Sequence, residues 1–285
     1  MPSVDIIIPI FNEEECLAEL LPRLRTLRAK IVGYELGAII VDDGSTDSSA
    51  LRLAAFAQTE KWVRVIKFTR NFGHQNAITA ALDITSADYV AIVDGDLQDP
   101  PELVEDMLRI VASGYDVVFG KRRSRSGDTW FKINSARLFY WLLNSVLGAN
   151  VPKDTGDCRV MTARVAHTLK AMRERHRFLR GMIPWSGYRA IDFEYDRNPR
   201  FAGVSKFDFN RMLRFAVDAI LSFSNRPLRL ALYCGAFFVV ASAAVLAVAL
   251  YLWLFMSYAM SGSVLVLVCT LFMGGLQALL LGICG

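Results

Sequence analysis

Charged residues are absent from the last part of the sequence, where no Asp, Glu, Lys or Arg follows Arg229. A chain segment of this composition is poorly suited to water, and at about 1.5 Å per residue it can cross a bilayer core of about 30 Å twice. We therefore predict two membrane spans, at residues 230–258 and 264–284, joined by a turn at 261–263. The weaker alternative is a buried helical hairpin inside a soluble core.

Several catalytic and binding motifs are also absent. The five cysteines form no CxxC pair, and the three histidines are not spaced as metal ligands, so neither a zinc site nor a disulfide framework is expected. There is no GxGxxG and no HExxH. Residues 114–121 resemble a P-loop, but they have one residue too many between the glycines, and Arg122 replaces the required Ser or Thr. No basic segment followed by an apolar one opens the chain, so a cleaved secretion signal is not expected.

Positive charge is concentrated towards the membrane segment. The basic stretch 173–180 has no nucleic-acid-binding fold around it, so we predict no nucleic-acid partner and interpret it as a surface facing lipid headgroups. Residues 209–223 form an amphipathic helical pattern that suits either a core or a membrane interface, and the adjoining span favours the interface. Four arginines flank the first span on the domain side, which predicts a cytoplasmic domain: Arg211, Arg214, Arg226 and Arg229.

Short apolar runs alternate with helix-length amphipathic segments in the first half of the chain. Five runs have strand length and are rich in β-branched or aromatic residues: 4–10, 37–41, 63–68, 89–93 and 116–119. This order predicts an α/β domain with a mostly parallel sheet covered by helices on both faces. The predicted organisation is a catalytic domain at 1–196, an interface segment at 197–228 and a membrane hairpin at 229–285.

Two carboxylates separated by one residue leave the fourth predicted strand. Asp94 and Asp96 can both point into one cleft at the carboxyl edge of the sheet, where ligands of such folds bind, and Gln98 adds an amide oxygen. Mg²⁺ and Mn²⁺ take oxygen ligands, and such a cation stabilises a departing diphosphate. We predict a divalent metal site on this turn; the alternative is an acidic surface turn.

Two further loops follow predicted strands at the same edge. The loop 42–47 contains Gly44, which permits a sharp turn, and Ser45 or Thr46, which can cap the next helix. An aspartate at this strand end can accept hydrogen bonds from a base N–H or a ribose hydroxyl. The loop 9–13 closes the first strand and presents a carboxylate. Each of these two loops alone is also consistent with an ordinary capping turn.

Together the three loops resemble the family 2 glycosyltransferases of GT-A fold. The motifs are Pro-x-Phe-Asn-Glu at 9–13, Asp-Asp-Gly-Ser at 42–45 and Asp-Gly-Asp-Leu-Gln-Asp-Pro at 94–100, and the resemblance extends over the whole chain. Within the family the chain is similar to the polyprenyl-phosphate hexose synthases. The resemblance implies that the nucleotide sugar is held by Pro9, Phe11, Glu13, Asp43 and Asp94, and that Asp94, Asp96 and Gln98 serve the metal and the diphosphate.

A lipid phosphate acceptor requires cations near the edge of the sheet. Arg122 follows the fifth predicted strand, and Lys132 and Ser135 lie one turn apart on a helix predicted for residues 130–147. The resemblance assigns Arg122 and Ser135 to the acceptor phosphate, and it assigns Arg200 and Lys206 to a loop over the diphosphate. Any one cation of the acceptor site, taken alone, is better explained as a solvated or lipid-facing charge, so this prediction depends on the cluster as a group.

Asp157 occupies the position where related enzymes carry an acidic catalytic residue, and it joins Asp96 as a catalytic candidate. A phosphate monoester has a second pKa of about 6 and is already ionised at neutral pH. Asp157 therefore either orients the acceptor or removes a proton, and an aspartate that caps a turn is the alternative to both.

The resulting hypothesis is an integral membrane enzyme that transfers a hexose, with inversion, from a nucleotide-diphosphate sugar to a polyprenyl phosphate at the cytoplasmic face of the bilayer. UDP-glucose is the favoured donor and GDP-mannose the second, and a homo-oligomer is left open. One rival is a processive polysaccharide synthase, which would carry more spans and a Gln-x-x-Arg-Trp motif. The other is a silent nucleotide-sugar-binding membrane adaptor, which would not need Asp94, Asp96 and Asp157 together.

Overall fold

The computed structural model describes residues 1–123, 155–174, 177, 179–196, 226–256 and 261–284. It divides the chain into two compact units, with the boundary between residues 216 and 217. The helix predicted for 130–147 and most of the amphipathic segment predicted for 197–228 lie outside the described residues, so both stay predictions.

Seven strands form one sheet in the first unit, in the order β3-β2-β1-β4-β6-β5-β7. Their bounds are β1 (Ser3–Ile10), β2 (Glu35–Asp42), β3 (Val63–Lys67), β4 (Tyr89–Ile92), β5 (Val117–Arg122), β6 (Thr155–Thr162) and β7 (Ala190–Tyr195). Neighbouring strands of this sheet are parallel, except that β6 runs antiparallel to both β4 and β5. The first residues of β6 therefore lie at the same edge as the carboxyl ends of its neighbours.

Helices pack on both faces of the sheet. Those of the first unit are α1 (Glu14–Lys30), α2 (Ser49–Thr59), α3 (His74–Ile84), α4 (Leu103–Ala112), α5 (Ala163–Ala171) and α6 (Leu179–Trp185). Ile6 and Ile8 of β1 belong to a buried cluster with Leu17 and Leu20 of α1. Ile7 is buried on the other face, where α3 packs on β1 and β2. A strand covered on both faces requires consecutive apolar residues, which explains the apolar run at 6–10.

The predicted α/β fold with a mostly parallel sheet is confirmed, and the five predicted strands correspond to β1–β5. Two strands escape sequence-based prediction. β6 contains Gly156, Asp157 and Arg159 within eight residues, so it lacks the apolar run that marks the other strands. β7 alternates polar and apolar residues and is half exposed, which is typical of a strand at the edge of a sheet.

Two long helices form the second unit: α7 (Arg226–Met256) and α8 (Gly262–Cys284). By length and composition, Leu228–Met256 and Gly262–Ile283 can each cross a membrane. The helices approach closely at two glycines, since a Cβ atom on Gly235 would lie 2.7 Å from the carbonyl oxygen of Gly275. Both predicted spans are therefore helical, and each helix begins a few residues earlier than predicted.

Candidate active site

The carboxyl edge of the sheet brings distant parts of the chain together. β1, β2 and β4 end there, β6 begins there, and α3 begins at His74 soon after β3 ends. In the antiparallel pair of β4 and β6, Ile92 pairs with Arg159. Extending this register by two residues places Asp94 opposite Asp157, so two carboxylates that are far apart in sequence meet at one edge.

The turn after β4 has two backbone features that hold its polar side chains together. A Cβ atom on Gly95 would lie 2.2 Å from the Cδ1 atom of Ile10 and 3.2 Å from the carbonyl oxygen of Pro9, so the turn approaches the end of β1 closely here. Leu97 adopts a φ of 60°, in the left-handed region. The amide of Gln98 donates a hydrogen bond of 3.2 Å to the Oδ1 atom of Asp96. The turn therefore keeps two of the three predicted metal ligands next to each other.

His74 lies between two carboxylates. Its Nε2 atom is 3.5 Å from Oδ1 of Asp94 and 3.3 Å from Oδ2 of Asp157, and one ligand atom from each residue lies within 4.8 Å of the others. Burial lowers the pKa of His74, but the carboxylates of Asp157 and Asp94 outweigh burial and raise this pKa above its usual value. His74 therefore carries positive charge over a wider pH range than a solvated histidine.

The environment of Asp94 favours the binding of a divalent cation. Its Oδ1 atom is buried and accepts no hydrogen bond from the residues that the structure describes. Burial raises the pKa of Asp94 to about 6 against the effect of His74, and the carboxylates of Asp157, Asp99 and Asp96 add to the rise. A cation with oxygen ligands relieves both the repulsion and the missing hydrogen bond. The residues on this turn thus fit the predicted metal site.

Asp157 has the opposite surroundings, because arginines enclose it. The guanidinium of Arg180 donates from Nε to Oδ1 at 2.9 Å and from Nη2 to Oδ2 at 2.6 Å. The Nη2 atom of Arg159 donates to Oδ1 at 2.8 Å. Burial acts to raise the pKa of Asp157, but Arg180 and His74 hold this pKa well below its usual range. Asp157 is therefore an ionised acceptor of hydrogen bonds at neutral pH.

A second buried carboxylate, Asp99, binds the ends of β5 and β7. The hydroxyl of Tyr195 donates to Oδ1 of Asp99 at 2.5 Å, and Nη2 of Arg122 lies 3.6 Å from Oδ2. A Cβ atom on Gly156 would lie 3.0 Å from the same Nη2 atom. Arg122 therefore lies beside the residue that precedes Asp157.

The loops after β1 and β2 hold each other through side chains. The Oδ1 atom of Asn12 accepts from the amide of Thr46 at 2.8 Å, and the amide of Asn12 donates to Oγ of Ser45 at 3.0 Å. Ser45 and Thr46 do not cap α2, contrary to the prediction. The helix begins later, at Ser49. The amide of Ser49 donates instead to Oδ1 of Asp47 at 3.0 Å.

The two aspartates at the end of β2 have different partners. The carboxylate of Asp43 accepts from the amides of Phe72 at 2.7 Å and Gly73 at 2.9 Å, and burial raises the pKa of Asp43 against these two amides. Asp42 accepts from the amide of Ser45 at 3.0 Å through Oδ1. Its Oδ2 atom is buried and has no hydrogen-bond partner among the described residues. Asp43 thus secures the loop before α3, whereas Asp42 retains an unused oxygen.

The family model described as Glycosyl transferase family 2 matches residues 5–170. The chain belongs to this family. Its relatives include the uncharacterized glycosyltransferase YkcC of Bacillus subtilis (strain 168), which is 37% identical over 98% of this chain and 86% of the relative. The bactoprenol glucosyl transferase of Shigella phage SfX is 34% identical over 99% of this chain and 92% of its own length.

Solved structures of other transferases share the fold of the first unit. Glucosyl-3-phosphoglycerate synthase from Mycobacterium tuberculosis, solved with Mn²⁺, UDP-glucose and phosphoglyceric acid, has a TM-score of 0.52 and 19% identity, covering 78% of this chain and 79% of that one. Mannosyl-3-phosphoglycerate synthase from Rubrobacter xylanophilus has a TM-score of 0.52 and 15% identity, covering 80% and 74%. These similarities support the predicted GT-A fold.

In this family 2 glycosyltransferase, six of the predicted site residues lie at the carboxyl edge of the sheet outside the loop after β1: Asp43, Asp94, Asp96, Gln98, Asp157 and Arg122. Pro9 is buried at the end of β1, and Phe11 and Glu13 are half-buried in the loop that follows. Four predicted residues lie outside the described part of the chain and stay predictions: Lys132, Ser135, Arg200 and Lys206.

Sequence reasoning does not assign three residues to the site: His74, Arg159 and Arg180. The resemblance places His74 only in a family loop near the donor. The basic stretch 173–180 is predicted to face lipid headgroups, and this is wrong for Arg180, which binds Asp157. Histidine spacing along the chain does not reveal that His74 meets carboxylates from β4 and β6 in space. Arg159 is two residues from Asp157 on one strand, which is a weak signal that it could share a face with it. No sequence pattern links Arg180, which lies on α6, to Asp157 on β6.

Proposed function

We propose that this chain transfers glucose from UDP-glucose to the phosphate group of a polyprenyl lipid. The observation that carries the proposal is the meeting of the Asp94–Asp96 turn with Asp157 and Arg122 at one edge of the sheet. The proposal is supported by relatives named bactoprenol glucosyl transferases, which match 99% of the chain. It is also supported by the shared fold of a synthase solved with UDP-glucose.

A divalent cation, Mg²⁺ or Mn²⁺, would be held by Asp94, Asp96 and Gln98. Two observations favour this assignment: the buried Oδ1 atom of Asp94 accepts no hydrogen bond from the described residues, and the pKa of Asp94 is raised. Asp157 fits a cation less well, because both of its oxygens already accept from arginines. When bound, the cation supplies positive charge that stabilises the departing diphosphate.

The nucleotide would lie against the loops after β1 and β2. Pro9, Phe11, Glu13 and Asp43 are the residues that the family resemblance assigns to it. The structure adds Asp42 as a candidate, because its buried Oδ2 atom is at the same strand end and lacks a partner among the described residues. A base N–H or a ribose hydroxyl would supply the missing donor.

The reaction is a single displacement at the anomeric carbon. An oxygen of the acceptor phosphate forms a bond to this carbon while the bond from the carbon to the β-phosphate oxygen breaks, and UDP leaves with the electron pair. One displacement inverts the anomeric configuration. The phosphate monoester has a second pKa of about 6, so its attacking oxygen needs no proton removed at neutral pH. Asp157 would then orient groups around the acceptor.

The acceptor phosphate would bind at Arg122, whose guanidinium can donate two parallel hydrogen bonds to phosphate oxygens. Family resemblance assigns Ser135 to the same phosphate, and Arg200 and Lys206 to the diphosphate. Lys132 is added because it lies one turn from Ser135 on the predicted helix. The lipid would extend from this edge into the bilayer.

The hairpin of α7 and α8 would make the chain an integral membrane protein. Residues 1–196 would form a cytoplasmic catalytic domain, residues 197–228 would lie in the membrane interface, and residues 229–285 would cross the bilayer. Arg226 and Arg229 precede the first span, which favours the cytoplasmic side for the domain. Confinement to the membrane of the acceptor raises the effective concentration of the two reactants.

The test is a transfer assay with the full chain in detergent micelles. Radiolabelled UDP-glucose, undecaprenyl phosphate and Mn²⁺ should yield a lipid carrying a single sugar, with GDP-mannose as the comparison donor. Asp96→Ala or a chelator should abolish the product. Asp106→Ala, which changes an exposed carboxylate of α4, should leave it intact. A long polymer, bound donor without turnover, or full activity of Asp96→Ala would each contradict the proposal.

A further inference from the structure

Protein donors occupy both oxygens of Asp157. Oδ1 accepts from Arg159 at 2.8 Å and from Arg180 at 2.9 Å, and Oδ2 accepts from Arg180 at 2.6 Å and lies 3.3 Å from His74. Charge-assisted hydrogen bonds of this length hold both partners in a fixed geometry. A carboxylate with these partners has little capacity left to accept a proton from a substrate. Its arrangement is that of a residue that holds the arginines in place.

The two arginines on Asp157 differ in accessibility. The side chain of Arg159 is 1% exposed, whereas that of Arg180 is 32% exposed. Arg159 also donates from Nε to the carbonyl oxygen of Asp157 at 2.9 Å, so it is fixed to β6 on which it lies. Of the two guanidiniums on Asp157, that of Arg180 is therefore the one that a ligand can reach.

Arg122 lies beside a different buried aspartate. Its side chain is 25% exposed, and its guanidinium lies 3.6 Å from the fully buried Asp99, as an ion pair without a hydrogen bond to Oδ2 among the described residues. Burial lowers the pKa of Arg122, but Asp99 and Tyr195 outweigh burial and raise it above its usual value. The Nη2 atom of Arg122 lies beside Gly156, the residue before Asp157, so two partly exposed arginines lie next to consecutive residues at the start of β6.

We propose that Arg180 is the second guanidinium of the acceptor-phosphate site, together with Arg122, and that Asp157 is the residue that positions it. This inference rests on the proposed function and extends it to a residue that the resemblance does not assign. The ligand class is a phosphate monoester dianion, whose oxygens match two guanidinium forks. Because Arg180 is already hydrogen-bonded to Asp157, its guanidinium is oriented before the phosphate arrives, which reduces the entropy lost on binding.

Steady-state kinetics on variants of Arg180 and Asp157 test this assignment. Arg180→Met should raise the KM for undecaprenyl phosphate by roughly tenfold or more, the loss expected for a charge-assisted contact. The dissociation constant of UDP-glucose should stay within about threefold, which also shows that the variant is folded. Arg180→Lys should give an intermediate KM, because it keeps the charge without the fork. Asp157→Asn should raise the same KM, because Arg180 is then no longer held.

The matched control is Arg164→Met. Arg164 also pairs with an aspartate, since its Nη2 atom donates to Asp116 at 2.9 Å, but this pair lies at the opposite edge of the sheet. Its KM for the lipid should equal that of the unaltered protein. An unchanged lipid KM in Arg180→Met would overturn the assignment. A lower kcat with unchanged lipid KM in Asp157→Asn would overturn the positioning role.

Direct binding separates this inference from the proposed function. Farnesyl phosphate and farnesol can be titrated into the full chain in micelles, and tryptophan fluorescence reports the binding. The unaltered protein should prefer the phosphate over the alcohol, and Arg180→Met should lose the preference. If no lipid-linked sugar forms but the preference depends on Arg180, the proposed function is wrong and the phosphate site is retained. If Arg180→Met binds farnesyl phosphate as tightly as the unaltered protein, the site is refuted.

Discussion

Asp94 and Asp157 lie opposite each other where β4 and β6 separate, and their pKa values are shifted in opposite directions. Burial raises the pKa of Asp94 to about 6, whereas Arg180 holds that of Asp157 far below its usual range although it too is buried. The difference arises because Arg180 and Arg159 donate hydrogen bonds to the carboxylate of Asp157. One carboxylate thus remains available to a cation, while its neighbour is already neutralised by the protein.

His74 separates these carboxylates, and its removal should impair catalysis. In His74→Ala the two acids would face each other without a positive charge between them, so kcat should fall by about tenfold or more. The steady-state transfer assay measures this effect. The control is His167→Ala, because His167 is exposed on α5, and it should retain full activity. Equal activity of the two variants would show that His74 has no role in the site.

The raised pKa of Asp94 makes a prediction for the stability of the metal-free protein. Its folded-state pKa of about 6 exceeds the reference value of 3.8. The folded state therefore binds this proton more tightly than the unfolded state does. At a pH above the folded-state pKa, ionised Asp94 therefore lowers the free energy of unfolding. This loss disappears as the pH falls towards the pKa of Asp94 in the unfolded state. The magnitude for a shift of this size is at most about 3 kcal/mol.

Asp94→Asn should accordingly raise the free energy of unfolding of metal-free protein at about pH 7.5 and change it little at about pH 4.5. Denaturant unfolding followed by circular dichroism measures both values. Mn²⁺ should stabilise the unaltered protein and not the variant. Asp106→Asn, at an exposed carboxylate, should show none of these effects. A stability gain of Asp94→Asn that is equal at both pH values would contradict the prediction.

The sequence reveals the elements of this site that carry apolar runs or compact motifs. β1, β2 and β4 are buried inside the sheet, so each contains a run of consecutive apolar residues, and Asp94, Asp96 and Gln98 stand out because they follow such a run. β6 is different, since it brings Asp157 into the site and buries Arg159 in its middle. A buried arginine breaks the apolar pattern by which buried strands are recognised in a sequence. That Arg159 pairs with Asp157 becomes apparent only in the folded chain.

The meeting of His74 with Asp94 and Asp157 is a consequence of strand order, which the sequence does not show. A purely parallel sheet would place the start of β6 at the opposite edge, about a strand length from Asp94. The antiparallel insertion of β6 between β4 and β5 reverses this placement. Arg180 depends on one further step, because α6 must pack beside that strand before its guanidinium can reach Asp157.

Gly44 should be intolerant of a side chain for a steric reason beyond its backbone angle. Its φ is 71°, and a Cβ atom there would lie 2.3 Å from the carbonyl carbon of Arg70. Gly187 has nearly the same φ, 74°, with no atom within 4 Å of its Cβ position. Gly187→Ala should cost about 1 kcal/mol of unfolding free energy, the strain of the left-handed region. Gly44→Ala should cost at least about 2 kcal/mol more, measured by denaturant unfolding, because two backbone segments must move apart. Equal losses would mean that the contact with Arg70 relaxes freely.

The packing of α7 on α8 should depend on one of two adjacent glycines. A Cβ atom on Gly275 would lie 2.9 Å from the carbonyl oxygen of Gly235, whereas one on Gly274 would meet no atom within 4 Å. Helices in a bilayer gain little from the hydrophobic effect when they associate, so close backbone approach at small residues is the main attraction. Gly275→Val should therefore separate the helices and lower the midpoint of thermal unfolding in detergent, as measured by size-exclusion chromatography after heating. Gly274→Val adds the same side chain one position away and should leave the midpoint unchanged, so equal midpoints for the two variants would refute the glycine contact as the basis of the hairpin.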